Sequence, residues 1–266
     1  MKRTAGFTLI ELLVVIAVIA LLMAILMPSL NLARKQARNT GCKVNLHSWA
    51  LIWDMYCEDN DGYFPKCKAS EWPRGAWILA LREHWDTKSD ILRCPSATRP
   101  NPEGSWGTSQ YAYQMPADEF ENRQELCSYG ASCYLYDYPG GRTTFMSRPA
   151  EWNWRTKNVR QAYRVPVFAD AMFRGGQPAT CGDAGDPPDY ENQWIDWQRD
   201  MMHFCINRHN GFTNHLFLDW SVRAVGVREL WTLRWHKSFE VDGPWTKAGG
   251  AIATDWPTWM QRFKEY

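Results

Sequence analysis

The sequence predicts an α+β protein: a long N-terminal membrane-spanning helix packed on a globular head that carries an antiparallel β-sheet and a short C-terminal helix. Three observations lead there. Residues 7–27 are apolar except for Thr8 and Glu11, a run of twenty-one residues, and at about 1.5 Å per residue that length crosses a hydrocarbon layer about 30 Å thick. Cys42, Leu46, Trp49, Trp53 and Tyr56 then recur at steps of four and three, which is one face of a helix. Further on, "RVPVFADAMF" (164–173) and "TNHLFLDWSVRAV" (213–225) are short apolar strings with the composition of strands.

Taken in chain order, residues 7–56 read as one helix about 75 Å long, a transmembrane part continuing into a stalk. A cleaved secretory signal is the alternative for its first half, but such signals carry an apolar core of only about 7 to 15 residues. Lys43, Asn45, Ser48 and Asp54 lie on the side opposite the apolar face, so the second half is an amphipathic stalk laid against a head of residues 57–266. "EDNDGYFP" ends the helix through Gly62 and Pro65. Asp59, Asp61 and Gly62 also match part of an EF-hand loop, yet Cys57 and Lys68 fall where its first and last carboxylates belong. That leaves at most a loosely bound calcium, and no other cofactor is expected. "RGGQPATCGDAGDPPDYENQ" (174–193) has the composition of a surface loop. "DWPTWMQRFKEY" places Trp256, Trp259, Met260 and Phe263 on one face behind Asp255 as N-cap, the expected closing helix.

Composition narrows the partners. Thirty basic and twenty-nine acidic residues give a net charge of +1, which carries no electrostatic footprint for nucleic acid. The eight cysteines form no C-x-x-C pair, so a zinc ribbon or thioredoxin-like site is not expected, and their even number fits disulfides in an oxidising compartment. Scattered buried thiols are the alternative. Sixteen tryptophans suit either an aromatic core, the favoured reading, or exposed rings that stack on a polysaccharide.

Glu11 is the anomaly of the N-terminal segment. A carboxylate inside a bilayer costs about 2.5 to 3.5 kcal/mol on insertion scales, so it needs a partner. Cleavage between Gly6 and Phe7 creates an ammonium four residues before Glu11, and the same ammonium on an axially shifted neighbour could pair with it. "GFTLIELLVVIAVIALLMAILMP" resembles the class III signal of type IV pilins and type II secretion pseudopilins. That resemblance implies a leader of residues 1–6 removed by a prepilin peptidase, methylation of the new terminus at Phe7, and Glu11 as the residue that guides subunit docking. Pro28 stands where many such helices bend. The resemblance also implies a single pass through the inner membrane, with the head in the periplasm or, after assembly, outside the cell. Lys2 and Arg3 agree with that orientation, whereas Arg34, Lys35, Arg38 and Lys43 pull against it on the positive-inside count.

Near the end, "RHNGFTNHLFLDWSV" holds His209, nine residues, then Asp219. It resembles the H-x9-DG signature of a large pilin-like family, and "LRCPSA", "SYGASCYLY" and "VFADAMF" agree in order. Trp220 departs from the usual glycine, and a tryptophan at positive φ would strain a type I′ turn, so a different turn is expected. His209 and Asp219 are expected to be structural. His203, His209 and His215 are spaced by six, but in a strand His215 and Asp219 lie about 13 Å apart at about 3.3 Å per residue, too far to share a metal. No hydrolase, P-loop or dinucleotide motif is present. The expectation is therefore a non-enzymatic subunit of a type IV pilus or pseudopilus, with other such subunits as partners. A membrane-anchored polysaccharide-binding protein is the alternative.

Overall fold

The structure, a computed structural model, describes residues 8–66, 75–85, 89–115, 125–137, 143–145 and 148–266. The leader, Gly6, Phe7 and Cys67 lie outside the described residues. Helix α1 runs over Leu9–Asp59, 51 residues, or about 77 Å. Its start is a capping box: Glu11 N donates to Thr8 Oγ1 at 3.3 Å while Thr8 N donates to Glu11 Oε2 at 2.9 Å. The helix continues through Pro28. Asn60 caps its end, and Asp61 and Gly62 then turn the chain at φ of 54° and 78°, the left-handed geometry that ends helices.

Two short helices follow, α2 (Ala76–Ala80) and α3 (Arg82–Trp85). The strands are β1 (Arg99–Pro100), β2 (Tyr111–Gln114), β3 (Leu126–Cys127), β4 (Tyr129–Ser132), β5 (Thr144–Phe145), β6 (Arg148–Pro149), β7 (Pro166–Asp170), β8 (Gly175–Gly176), β9 (Phe212–Phe217) and β10 (Val222–Gly226). Five of them form the main sheet, in the order β10-β9-β7-β4-β8. It is antiparallel except at its edge, where β8 runs parallel to β4, so the head's sheet is mixed rather than purely antiparallel. The reason is local: a Cβ at Gly175 would collide with the Ala131 carbonyl oxygen, and glycine there lets a strand emerge from what reads as loop.

α1 docks on this sheet with one face. Cys42, Leu46, Trp49, Ala50, Ile52, Trp53 and Cys57 are buried, and Tyr56 packs half-buried beside them. Trp49 meets Phe168 of β7 at 4.8 Å and Trp77 of α2 at 5.3 Å between ring centroids. The polar side of the helix is used as well. Asp54 accepts from Lys157 Nζ and from Trp220 Nε1, both at 2.8 Å, and Asn45 Nδ2 donates to the Arg93 carbonyl. By contrast, every residue of α1 from Leu9 to Arg38 is exposed.

The closing helix does not form. Ala253–Asp255 makes a single 3-10 turn and the remainder is turns. Asp255 does not cap a helix ahead of it but accepts from Ile252 N behind it at 2.8 Å. Trp256 and Met260 still reach the core.

Candidate functional site

Two sites stand out, one at the exposed start of α1 and one where its buried half begins. The first is the exposed start of α1. Glu11 is the acidic residue of its first turn, and its carboxylate also accepts from Thr8 Oγ1 at 2.8 Å. Within one subunit the helix N-terminus thus answers the charge, since its unpaired N–H groups and dipole favour an anion. Among the described residues its neighbours along the helix, Leu9, Ile10, Leu12, Leu13, Val14 and Val15, are exposed and apolar.

The second site is buried where α1 meets the sheet. Asp170, the last residue of β7, is fully enclosed. Arg208, also buried, donates to its Oδ1 at 2.9 Å and to the Thr108 and Ala171 carbonyls at 2.8 and 3.0 Å. Asn214 N, in β9, donates to Oδ2 at 2.8 Å, and His209 Nε2 lies 3.1 Å from the same oxygen. Two thiols complete the group: Cys42 Sγ is 3.4 Å from Asp170 Oδ1, and Cys94 Sγ is 3.5 Å from His209 Nε2. Burial opposes charge on every member. Even so, His209 and Arg208 hold the Asp170 carboxyl far below its usual range, and the Asp170 carboxylate lifts His209 to about 9. Burial drives the Cys42 thiol well up. Cys94 goes the other way, to about 6, because hydrogen bonds with Cys42 and His209 outweigh its burial.

His209 therefore pairs with Asp170, and Asp219 stands elsewhere. Asp219 is exposed in the β9–β10 turn, accepting from Ser221 N and Oγ at 3.0 and 2.6 Å. That turn is a three-residue loop. Trp220 N donates to Phe217 O and Phe217 N to Ser221 O, both at 2.9 Å, with Trp220 alone of the loop left-handed at φ 64°. The indole's bond to Asp54 holds it there. The other two histidines serve the core separately. His203 Nδ1 meets the Gly175 carbonyl at 3.1 Å, and burial pushes His215, beside Thr213 Oγ1, down to about 3.

The remaining site expectations sort plainly. Cys42, Cys57, Cys94, Cys127, Cys133, Cys181 and Cys205 are free thiols, all but Cys181 buried, so the expected disulfides are absent among the described residues. Six buried free thiols match the alternative weighed against disulfides, except that Cys42 and Cys94 meet at the Asp170 site. Asp59 and Asp61 stand exposed at the end of α1. Among the described residues they belong to no group of three or more candidate metal ligands. Trp49, Trp53, Trp77, Trp85, Trp231 and Trp235 are fully buried, the core role that was favoured over sugar stacking. Asp170 was missed as a site residue. Its signal was a carboxylate ending an apolar strand, in the string "VFADAMF".

Comparison with known proteins bears on the first site. The family model described as a prokaryotic N-terminal methylation motif matches residues 1–27. The type IV wide pilus major component PilA4 of Thermus thermophilus is 48% identical over 63 residues, which is 24% of this chain and 48% of that protein. The alignment thus spans about half the length of this relative. No solved structure matches. With a long apolar helix packed on a sheet-bearing head, the motif and the relative mark this chain as type IV pilin-like, its exposed N-terminal helix suited to anchoring in a membrane.

Proposed function

We propose that the chain is a pilin-like subunit of a type IV pilus or a type II secretion pseudopilus. A prepilin peptidase cuts it after Gly6, and it inserts once in the inner membrane with its head in the periplasm. It then joins other subunits through its apolar helix, with no chemistry of its own. The observation that carries this reading is the state of α1: from Leu9 to Arg38 it is exposed, yet it is almost wholly apolar up to Met27. Such a surface is stable only in lipid or against other copies of itself. Val44, Leu51 and Met55 extend the unpartnered apolar surface along the outer side of the docked half, where a neighbouring helix would lie in a bundle. Arg34, Lys35 and Arg38 follow the span as exposed side chains long enough to reach the lipid headgroups.

In that assembly Glu11 exchanges its local Thr8 partner for the Phe7 ammonium of an adjacent copy. A Glu11→Ala chain should still be cleaved and inserted. Its yield of cross-linked multimers in membranes should fall more than about tenfold, the factor carried by a pairing of 1.4 kcal/mol or more in the bilayer. Wild-type multimer yield from the variant would refute the docking role.

A further inference from the structure

We propose that Cys42, Cys94, Asp170 and His209 form a structural zinc site that fastens the stalk helix to the head. Their four ligand atoms, two sulfurs, one imidazole nitrogen and one carboxylate oxygen, all lie within 4.8 Å of one another. They come from four separate segments: α1, the loop after Leu92, the end of β7 and the loop before β9. Four donors meeting at one buried point is the arrangement of a closed zinc site.

The spacings fit a metal at the centre. With bonds of about 2.3 Å to sulfur and about 2.0 Å to nitrogen or oxygen, a tetrahedron has edges of about 3.6 Å between sulfur and either lighter atom, and about 3.3 Å between nitrogen and oxygen. With Asp170 Oδ2 as the oxygen ligand, the corresponding distances are 3.5 Å for Cys94 to His209, 3.6 Å for Cys42 to Asp170 and 3.1 Å for His209 to Asp170. A mixed set of two thiolates, an imidazole and a carboxylate suits zinc, and with all four positions supplied by the chain none is left open for catalysis.

The surroundings support the same reading. Two thiolates and a carboxylate bring three negative charges, which Zn2+ and the buried Arg208 together balance. Arg208 and Asn214 N orient the Asp170 carboxylate, Tyr129 OH lies 3.4 Å from Cys42 Sγ, and Ser96 N lies 3.5 Å from Cys94 Sγ. Donors of this kind around the ligands hold and tune metal sites. Cys42 is also the first buried residue of α1, so the ion would sit where the helix leaves the head and stiffen that exit. Binding releases the thiol protons as the site forms with the fold.

The test uses the full chain, extracted in detergent and purified through a tag that contains no histidine. Elemental analysis should find about one zinc per chain, and Cys94→Ser and His209→Ala should each lose at least about tenfold of it. Because either variant may fail to fold, Co2+ is also exchanged into the wild-type protein, where strong visible absorption from tetrahedral, thiolate-bound cobalt is expected. Three results would overturn the site: a folded wild-type chain with substoichiometric zinc, the weak absorption of octahedral cobalt, or a Cys42–Cys94 disulfide in peptide maps of protein from cells.

Discussion

Replacing Asp170 with alanine is expected to cost about 3 to 5 kcal/mol and to leave the head largely unfolded at ambient temperature if its stability lies at the low end of the usual range. The magnitude follows from what the carboxylate holds. Arg208 has no exposed side-chain surface, and Asp170 is the anion it meets. Removing that anion strands a guanidinium in the core, which is the expensive way to break a buried pair. Asn214 N loses its acceptor too, a further penalty of about 1 to 3 kcal/mol if no water replaces it. Asp170→Asn keeps the shape and one acceptor oxygen, so it should fall between alanine and wild type. Urea unfolding followed by tryptophan fluorescence measures the series, and a shift under about 1 kcal/mol for the alanine variant would show that Arg208 does not depend on Asp170.

Trp49→Ala should cost about 3 to 5 kcal/mol, the usual loss for deleting a large aromatic from a packed core. Trp49 is fully buried between Trp77, Trp85 and Phe168, with ring centroids at 5.3, 6.2 and 4.8 Å, and its Nε1 donates to the Ile91 carbonyl at 3.0 Å. It joins α1 to β7, α2 and α3 at one point. Leu51, two residues on, is 68% exposed, so Leu51→Ala should stay within about 0.5 kcal/mol of wild type. The same urea titration separates the two, and equal effects would contradict one-sided docking of the helix.

The comparison of these two sites explains what was legible from the amino acids. Trp49 belongs to a local repeat: Cys42, Leu46, Trp49 and Trp53 return at helical spacing, and a 3.6-residue period can be read within one segment. The strands β7, β9 and β10 are legible locally too, as short apolar strings with the composition of strands. The Asp170 cluster was not, because its members are 115 and 128 residues apart along the chain and nothing local joins them. The regular interval from His209 to Asp219 drew attention to the wrong carboxylate, since the fold spends those nine residues on a strand and sends Asp219 into an exposed turn. The C-terminal segment misled in another way. Its apolar spacing is helical, but Asp255 turns back onto Ile252 N, and Trp256 and Met260 reach the core from turns. At the N-terminus the charge of Glu11 reads as needing a partner, and its partner within the chain is Thr8, three residues earlier at the capping-box spacing.

Assembly in this mechanism depends on an apolar helix whose carboxylate pairs with a terminus made by proteolysis. Intact-mass and N-terminal peptide analysis of the protein extracted from its native membranes tests this most directly. A mature chain beginning at N-methylated Phe7 is the predicted result. A chain that still begins at Met1, or one shortened as a secretory signal would be and so lacking Glu11 altogether, would contradict it.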